Sequence, residues 1–343
     1  MRAAVLQAHG GLEQVQYVED LPIPEPGAGE VRLNMKAAAL NRVDLFVRAG
    51  WKGLNLHFPH VIGSDGAGVI DAVGAGIKHL AVGDPVAVDP MFLPDDPTLF
   101  MAEYENQSRI AIAGEHRSGF AAEYVVVPVR NVVKMPADFS FQEAAAAGLV
   151  YVTAWHSLIT RGHLKPAETV LIVGAGGGVN SASLQIAKLA GAKVIVVGSN
   201  ADKCEQARQL GADVTINREQ TPDWAKEVFT LTEKRGVDVV VDNVGAATLN
   251  HSIRACRIGG RILIVGGTSG YDTQINVAQI FARQISLIGS TMGTHADYAT
   301  VLNLIFQGKL KAVIGQVFPL DQAREAEAAL EKGDTFGKIV IDI

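Results

Sequence analysis

The sequence predicts an α/β protein in two parts, a β-rich unit and a doubly wound parallel sheet covered by helices. Three observations predict it. The first 127 residues carry short β-branched runs punctuated by Gly and Pro. From about residue 140, apolar strand patterns alternate with helical ones. The chain has 343 residues, more than one ordinary core holds.

In the first part the runs AAVL, EVRLNM, GAGVIDAV, DPVAVD and AEYVVVP read as strands of a barrel or sandwich. Residues 90–118, rich in Pro, Asp, Glu and Asn, read as a surface lobe. FSFQEAAAAGL and YVTAWHSLITRG read as two helices. Then ETVLIVG, AKVIVVG, VTIN, VDVVVDNV, GRILIVGG and SLIGSTM read as six strands with helices between them. These strands lack two-residue alternation because both faces of a parallel sheet are covered. The tail offers the helices ADYATVLNLIFQG and DQAREAEAALEKG and the strands GQVFPL and GKIVIDI, read as a return to the first part. The expected domains are 1–127 with 295–343, and 128–294.

Composition excludes several classes. Hydrophobic residues make up 48% and charged residues 19%, which is not disorder. The net charge is −6 with no Lys/Arg cluster, so no nucleic-acid partner is expected. Cys204 and Cys256 supply neither a disulfide framework nor CxxC spacing, which suits a reducing, cytoplasmic setting. The longest apolar run, AAAAGLVYVTAW, falls short of the roughly 18 residues of a membrane helix. No membrane partner is expected.

The strongest motif is LIVGAGGGVNSASLQIAKLAG. A strand enters a glycine run and a helix leaves it. Gly174, Gly176, Gly177 and Gly178, with Val179 opening the helix, can bring backbone N–H groups against a pyrophosphate at a helix N-terminus. Asn180 stands where the closing glycine of this Rossmann fingerprint usually falls. The plainer alternative is a structural turn. The next strand ends in Ser199 and Asn200, where NAD-selective domains place a carboxylate for the ribose 2′-hydroxyl. Lys203 and Arg218 follow nearby. A hydroxyl, an amide and two cations suit a 2′-phosphate, so NADP(H) is the expected cofactor. Solvated surface charge is the alternative for each cation.

With these segments, and with AALNRVDLFVRAG, FPHVIGSDGAGVIDAVGAGI, VGDPVAVD, GEHRSGFAAEYVVVP, LVYVTAWHSL and FGKIVIDI, the chain resembles the medium-chain dehydrogenase/reductase superfamily nearly end to end. The resemblance implies a GroES-like catalytic domain around a Rossmann domain. It also implies a homodimer or homotetramer, often joined through SLIGSTM. The departures matter most. Zinc members carry Cys where this chain has Asn41, His where it has Ser64, and a third ligand near Leu149. The lobe that usually carries four cysteines has none. Amide, hydroxyl and leucine do not make a zinc site, and Asp65 alone is a poor one, so neither catalytic nor structural zinc is expected.

By resemblance, Asn41 orients a substrate carbonyl or the nicotinamide, and Ser64 and Asp65 line the pocket. Tyr151 is a hydrogen-bond or proton donor or else a packed core residue. Asp44 fixes the NRVD turn. Arg42 faces the pyrophosphate or solvent, while Trp51, His57 and His60 are pocket or ordinary loop residues. Thr153, Val244, Gly266, Gly267, Thr268 and, more weakly, Lys338 match nicotinamide and ribose contacts. Without a Lewis acid, reduction of a small quinone or α,β-unsaturated carbonyl by NADPH is the leading expectation. An alcohol or aldehyde dehydrogenase and a catalytically silent NADPH-binding protein are the alternatives.

Overall fold

The computed structural model describes residues 1–92 and 110–343. Most of the expected surface lobe therefore lies outside the described residues. The chain divides into two compact units, Met1–Val150 with Thr294–Ile343, and Tyr151–Gly293.

Unit 1 contains β1 (Ala3–Leu6), β2 (Val15–Val18), β3 (Glu30–Leu40), α1 (Arg42–Ala49), β4 (His60–Val61), β5 (Asp65–Val73), β6 (Pro85–Val88), β7 (Met91–Phe92), β8 (Ala111–Ile112), β9 (Tyr124–Pro128) and β10 (Val132–Lys134). The chain passes into unit 2 within α2 (Phe141–Trp155). Unit 2 contains β11 (Thr169–Val173), α3 (Gly178–Leu189), β12 (Lys193–Gly198), α4 (Ala201–Gln209), β13 (Val214–Asn217), α5 (Trp224–Leu231), β14 (Val237–Asp242), α6 (Leu249–Ala255), β15 (Cys256–Ile264), α7 (Val277–Phe281) and β16 (Ser286–Gly289). The return to unit 1 adds α8 (His295–Phe306), β17 (Ile314–Pro319), α9 (Ala323–Lys332) and β18 (Lys338–Asp342).

In unit 1 a sheet runs β10-β6-β5-β3-β18-β17, with β9 also paired to β3. A three-stranded sheet, β2-β1-β4, accompanies it. On β3 alternate residues Val31, Leu33 and Met35 are buried, the period of a strand with one covered face. They join Leu6, Ile70, Val86, Phe120 and Ile341 in one core. Residues 128–150 belong to this unit rather than to the domain expected for them. The reason is pairing: β10 closes the sheet beside β6, in the register Val132↔Val88.

Unit 2 is a parallel sheet in the order β13-β12-β11-β14-β15-β16. All six residues of β14 are buried, which is why VDVVVD shows no alternation. The order reverses direction between β11 and β14. The chain leaves the carboxyl ends of those neighbours toward opposite flanks, opening the crevice in which such sheets hold ligands.

The two helices expected between 139 and 162 run together in α2 and meet at a kink at Gly148 (φ −37°, ψ −106°), and a π-helical turn over 156–161 follows. No helix among the described residues is long and apolar enough to cross a membrane.

A buried contact of Arg48 ties α1 to α9. Arg48 Nη1 meets Glu327 Oε2 at 2.9 Å, and Arg48 Nη2 meets Glu331 at 3.0 Å. Burial, with the Asp44 carboxylate adding repulsion, outweighs the guanidinium and pushes Glu327 from an ordinary 4.5 up to about 8. The folded chain therefore holds this proton to higher pH than the unfolded chain does. Its contribution to stability is present at low pH and is lost as pH rises from about 4.5 to about 8. Melting midpoints measured between pH 5 and 8.5 should fall with pH in the wild type and fall less steeply in Glu327→Gln. An equal slope in both proteins would refute the assignment.

Candidate functional site

Strand register gathers the polar residues of unit 1. In β3 and β18 Leu40 pairs with Ile339, so Asn41 and Lys338 follow as neighbours. Ala39 pairs with Asp65, and Gly66 pairs with Val88, which sets Asp89 beside Asp65. One end of the sheet thus carries Lys338, Asn41, Asp65 and Asp89, all buried.

Asp44, on the first turn of α1, organises the turn before it. Its Oδ2 accepts the Asn41 N–H at 2.7 Å and the Ser64 hydroxyl at 3.0 Å, and its Oδ1 accepts the Gly63 N–H at 3.1 Å. Burial raises Asp44 to about 6 against these bonds. Asn41 Nδ2 donates to Ser64 Oγ at 2.8 Å and to Asp65 Oδ2 at 2.7 Å. Asp65 Oδ1 accepts the Leu149 N–H at 2.5 Å. A Cβ on Gly148 would lie 2.1 Å from that same oxygen, so the break in α2 falls where only glycine admits the carboxylate.

The structure gives each of these candidates its partners. Both amide hydrogens of Asn41 are spent inside the cluster, so Asn41 reaches a carbonyl only by exchanging one of them. The Lys338 ammonium, matched by resemblance to nicotinamide and ribose contacts, bonds Leu40 O, Asn41 Oδ1 and Asp65 Oδ2. The segment at Leu149 offers a backbone N–H in place of a metal ligand. Asp65 has both oxygens committed, and Asn41 and Ser64 offer amide and hydroxyl, so this donor set does not fit zinc. Among the described residues no group of three or more His, Cys, Asp or Glu could hold a metal ion.

The other candidates of unit 1 separate from this cluster. Arg42, Trp51 and His57 are exposed, and His60 is buried with its Nε2 3.1 Å from Gly114 O. Two residues that sequence reasoning missed lie at the same sheet end. His295 Nδ1 makes a close contact with Asp89 Oδ2, and the Tyr298 hydroxyl donates to Val88 O at 2.7 Å.

In unit 2 the cofactor candidates other than Thr153, which lies in α2, follow the carboxyl ends of strands. Gly174, after β11, has φ +106°. A Cβ there would sit 2.2 Å from Asn180 Nδ2, so glycine is required. Gly177 is the N-cap of α3, with no side chain capping the helix and open space where its Cβ would be. The first amides of α3, at Gly178 and Val179, therefore form a cradle that fits a pyrophosphate. The stem of Lys203 lies over Gly176, within 3.1–3.4 Å of where a Cβ would stand. Ser199 and Asn200 follow β12, and Asn200 Oδ1 accepts the Lys203 N–H at 2.9 Å as the cap of α4. Arg218 follows β13 and is exposed.

The loops after β14 and β15 interlock and bring Val244, Gly266, Gly267 and Thr268 together. Ser269 N–H donates to Val244 O at 2.8 Å, and Thr268 N–H to Asn243 O at 3.3 Å. Their organiser, missed from sequence, is Asp242. It accepts the N–H of Val244 and Gly245 and the hydroxyls of Thr248 and Ser252, at 2.6–3.1 Å. A carboxylate ending an apolar strand was its only signal. Thr153 is buried against Met292. The Tyr151 hydroxyl receives the Gln185 amide at 2.7 Å, and burial pushes the phenol well above its usual range. The packed reading of Tyr151 fits this better than a proton donor.

Residues 27–137 match the family model for the alcohol dehydrogenase GroES-like domain, and residues 178–307 match that for zinc-binding dehydrogenase. A zinc-type alcohol dehydrogenase-like protein of Schizosaccharomyces pombe is 33% identical, covering 100% of this chain and 99% of its own. A quinone oxidoreductase of Pongo abelii is 28% identical, covering 99% and 97%. A crystal structure described as an NAD-dependent alcohol dehydrogenase is 45% identical with a TM-score of 0.95, covering 100% of both chains.

Asn180 closes the phosphate turn with side-chain bonds. Its Nδ2 donates to Val173 O at 3.1 Å, and its Oδ1 accepts Asn243 Nδ2 at 2.6 Å. Asn180→Ala takes this bond from the buried Val173 carbonyl and from the half-buried Asn243 amide. The expected loss is about 1–3 kcal/mol in urea unfolding. A loss below about 0.5 kcal/mol would contradict this account of the bridge.

Proposed function

Because this chain belongs to the medium-chain dehydrogenase/reductase superfamily, whose members are oxidoreductases that bind a nicotinamide cofactor, we propose that it reduces a quinone or an α,β-unsaturated carbonyl compound with NADPH and without zinc. What carries the reading is the Asn41 cluster. At the sheet end there is an amide, a hydroxyl, two carboxylates and an ammonium, already bonded to one another. That set orients polar groups and offers no Lewis acid. A conjugated acceptor needs none, since its charge spreads onto an oxygen that hydrogen-bond donors stabilise. The quinone oxidoreductase relative supports this substrate class.

When bound, the reduced nicotinamide supplies the hydride. The chain's own groups do the rest. The α3 amides and Lys203 hold phosphate. The Asp242-organised loops present Val244, Gly266 and Thr268 to the ribose and nicotinamide. Asn41 trades a bond to Ser64 or Asp65 for one to the substrate carbonyl, a rearrangement common between free and loaded sites. NADPH is favoured by Ser199 and Asn200 in place of a carboxylate at the end of β12, and by Lys203 and Arg218 nearby.

A second reading has specific support. The 45% identical structure is described as NAD-dependent and as an alcohol dehydrogenase, so NADH and alcohol oxidation are the competing assignment. Titration of the protein with each cofactor decides the first point. NADPH should bind at least about tenfold tighter, a difference of about 1.4 kcal/mol, and Ser199→Asp should remove that preference. Tighter NADH binding in the wild type would reject it. For the substrate, NADPH consumption over a panel of quinones and enones should show turnover. Asn41→Ala should lower kcat about 100-fold with KM for NADPH little changed. Turnover on alcohols alone, or an unchanged kcat in the variant, would reject the proposed reaction.

A further inference from the structure

The buried charges of unit 1 converge on Lys338. Its ammonium has three hydrogens, and three oxygens receive them: Leu40 O at 2.7 Å, Asn41 Oδ1 at 2.5 Å and Asp65 Oδ2 at 2.9 Å. The lysine is 4% exposed and the aspartate fully buried. A backbone carbonyl, an amide oxygen and a carboxylate are the ligands that hard cations take.

We propose that the Lys338 ammonium is a tethered cation filling an all-oxygen site at the end of the unit 1 sheet, and that it is the positioning residue for Asn41.

The orientation of the Asn41 amide follows from the charge. Turned over, its NH2 would face an ammonium, donor against donor, and its oxygen would face the Asp65 carboxylate. With Lys338 in place, Oδ1 is held on one side and Nδ2 is aimed at Ser64 and Asp65. The ammonium also offsets the carboxylates: Lys338 draws the buried Asp44 downward while burial pushes it up. The site builds itself from register, since pairing of β18 with β3 sets Lys338 beside Asn41 across nearly 300 residues of chain. An ammonium at bonding distance from all three oxygens excludes a metal ion from them.

This inference rests on the proposed reductase only for its turnover readout; its stability readout stands apart. Lys338→Ala leaves the oxygens facing a space of ammonium size. Its melting midpoint should drop by roughly 5–15 °C, because a buried carboxylate has lost its partner. Its kcat should fall at least about tenfold with KM for NADPH nearly unchanged. Ammonium and methylammonium chloride should raise both midpoint and kcat. Tetramethylammonium chloride at equal ionic strength, having no N–H, should raise neither. Equal response to the three salts, or wild-type midpoint and kcat without any amine, would overturn the proposal. If Lys338→Ala does not fold, Lys338→Met combined with Asp65→Asn removes both charges together. That protein should melt near the wild type yet keep a reduced kcat, and a wild-type kcat would reduce Lys338 to a counter-ion. If the wild type turns over nothing in the panel, the functional reading fails, and the amine-dependent midpoint still decides the cation site.

Discussion

A carboxylate taken out of water has to find donors for both of its oxygens, and Asp65 imposes that demand on unit 1. It is met from three directions: an amide from the end of β3, an ammonium from the start of β18 and a backbone N–H from the break in α2. Each donor constrains its own element. The ammonium requires β18 to pair with β3 in one register, and the backbone N–H requires glycine at 148. Removing one partner of such a pair generally costs about 3–5 kcal/mol, so the sheet end behaves as one unit and not as separate contacts.

Unit 2 solves a similar problem with Asp242, which gathers two backbone N–H groups and two hydroxyls at the end of β14. Its bonds hold the loop that carries Val244, and the loop after β15 is hung on that one. These loops are thus held together by the needs of a buried charge. At the phosphate turn the demand is conformational instead, a positive φ at Gly174 and an uncapped helix start.

The alternation of strands and helices, the glycine turn and the six-stranded parallel sheet were legible because each is local: propensity, period and turn chemistry act within a few residues. The Asn41, Ser64 and Asp44 cluster was legible only through family resemblance. The partners of Lys338 were not legible because they depend on register between residues nearly 300 apart, which no local pattern encodes. Gly148 sat inside the first of two expected helices, and the reason for its kink, the oxygen of Asp65, is 83 residues away in sequence. The domain boundary was expected too early for the same cause: β10 looks like a connector until its partner in the sheet is known.

Asn180 carries one more implication. Its amide bridges the strand before the phosphate turn and Asn243 beyond β14, across the point where the sheet reverses direction. A smaller residue at 180 would strand the amide at 243, and a non-polar residue at 243 would strand the one at 180. Drift at either position is therefore tolerated only when the other follows, and across descendants of this sequence the two should change in concert.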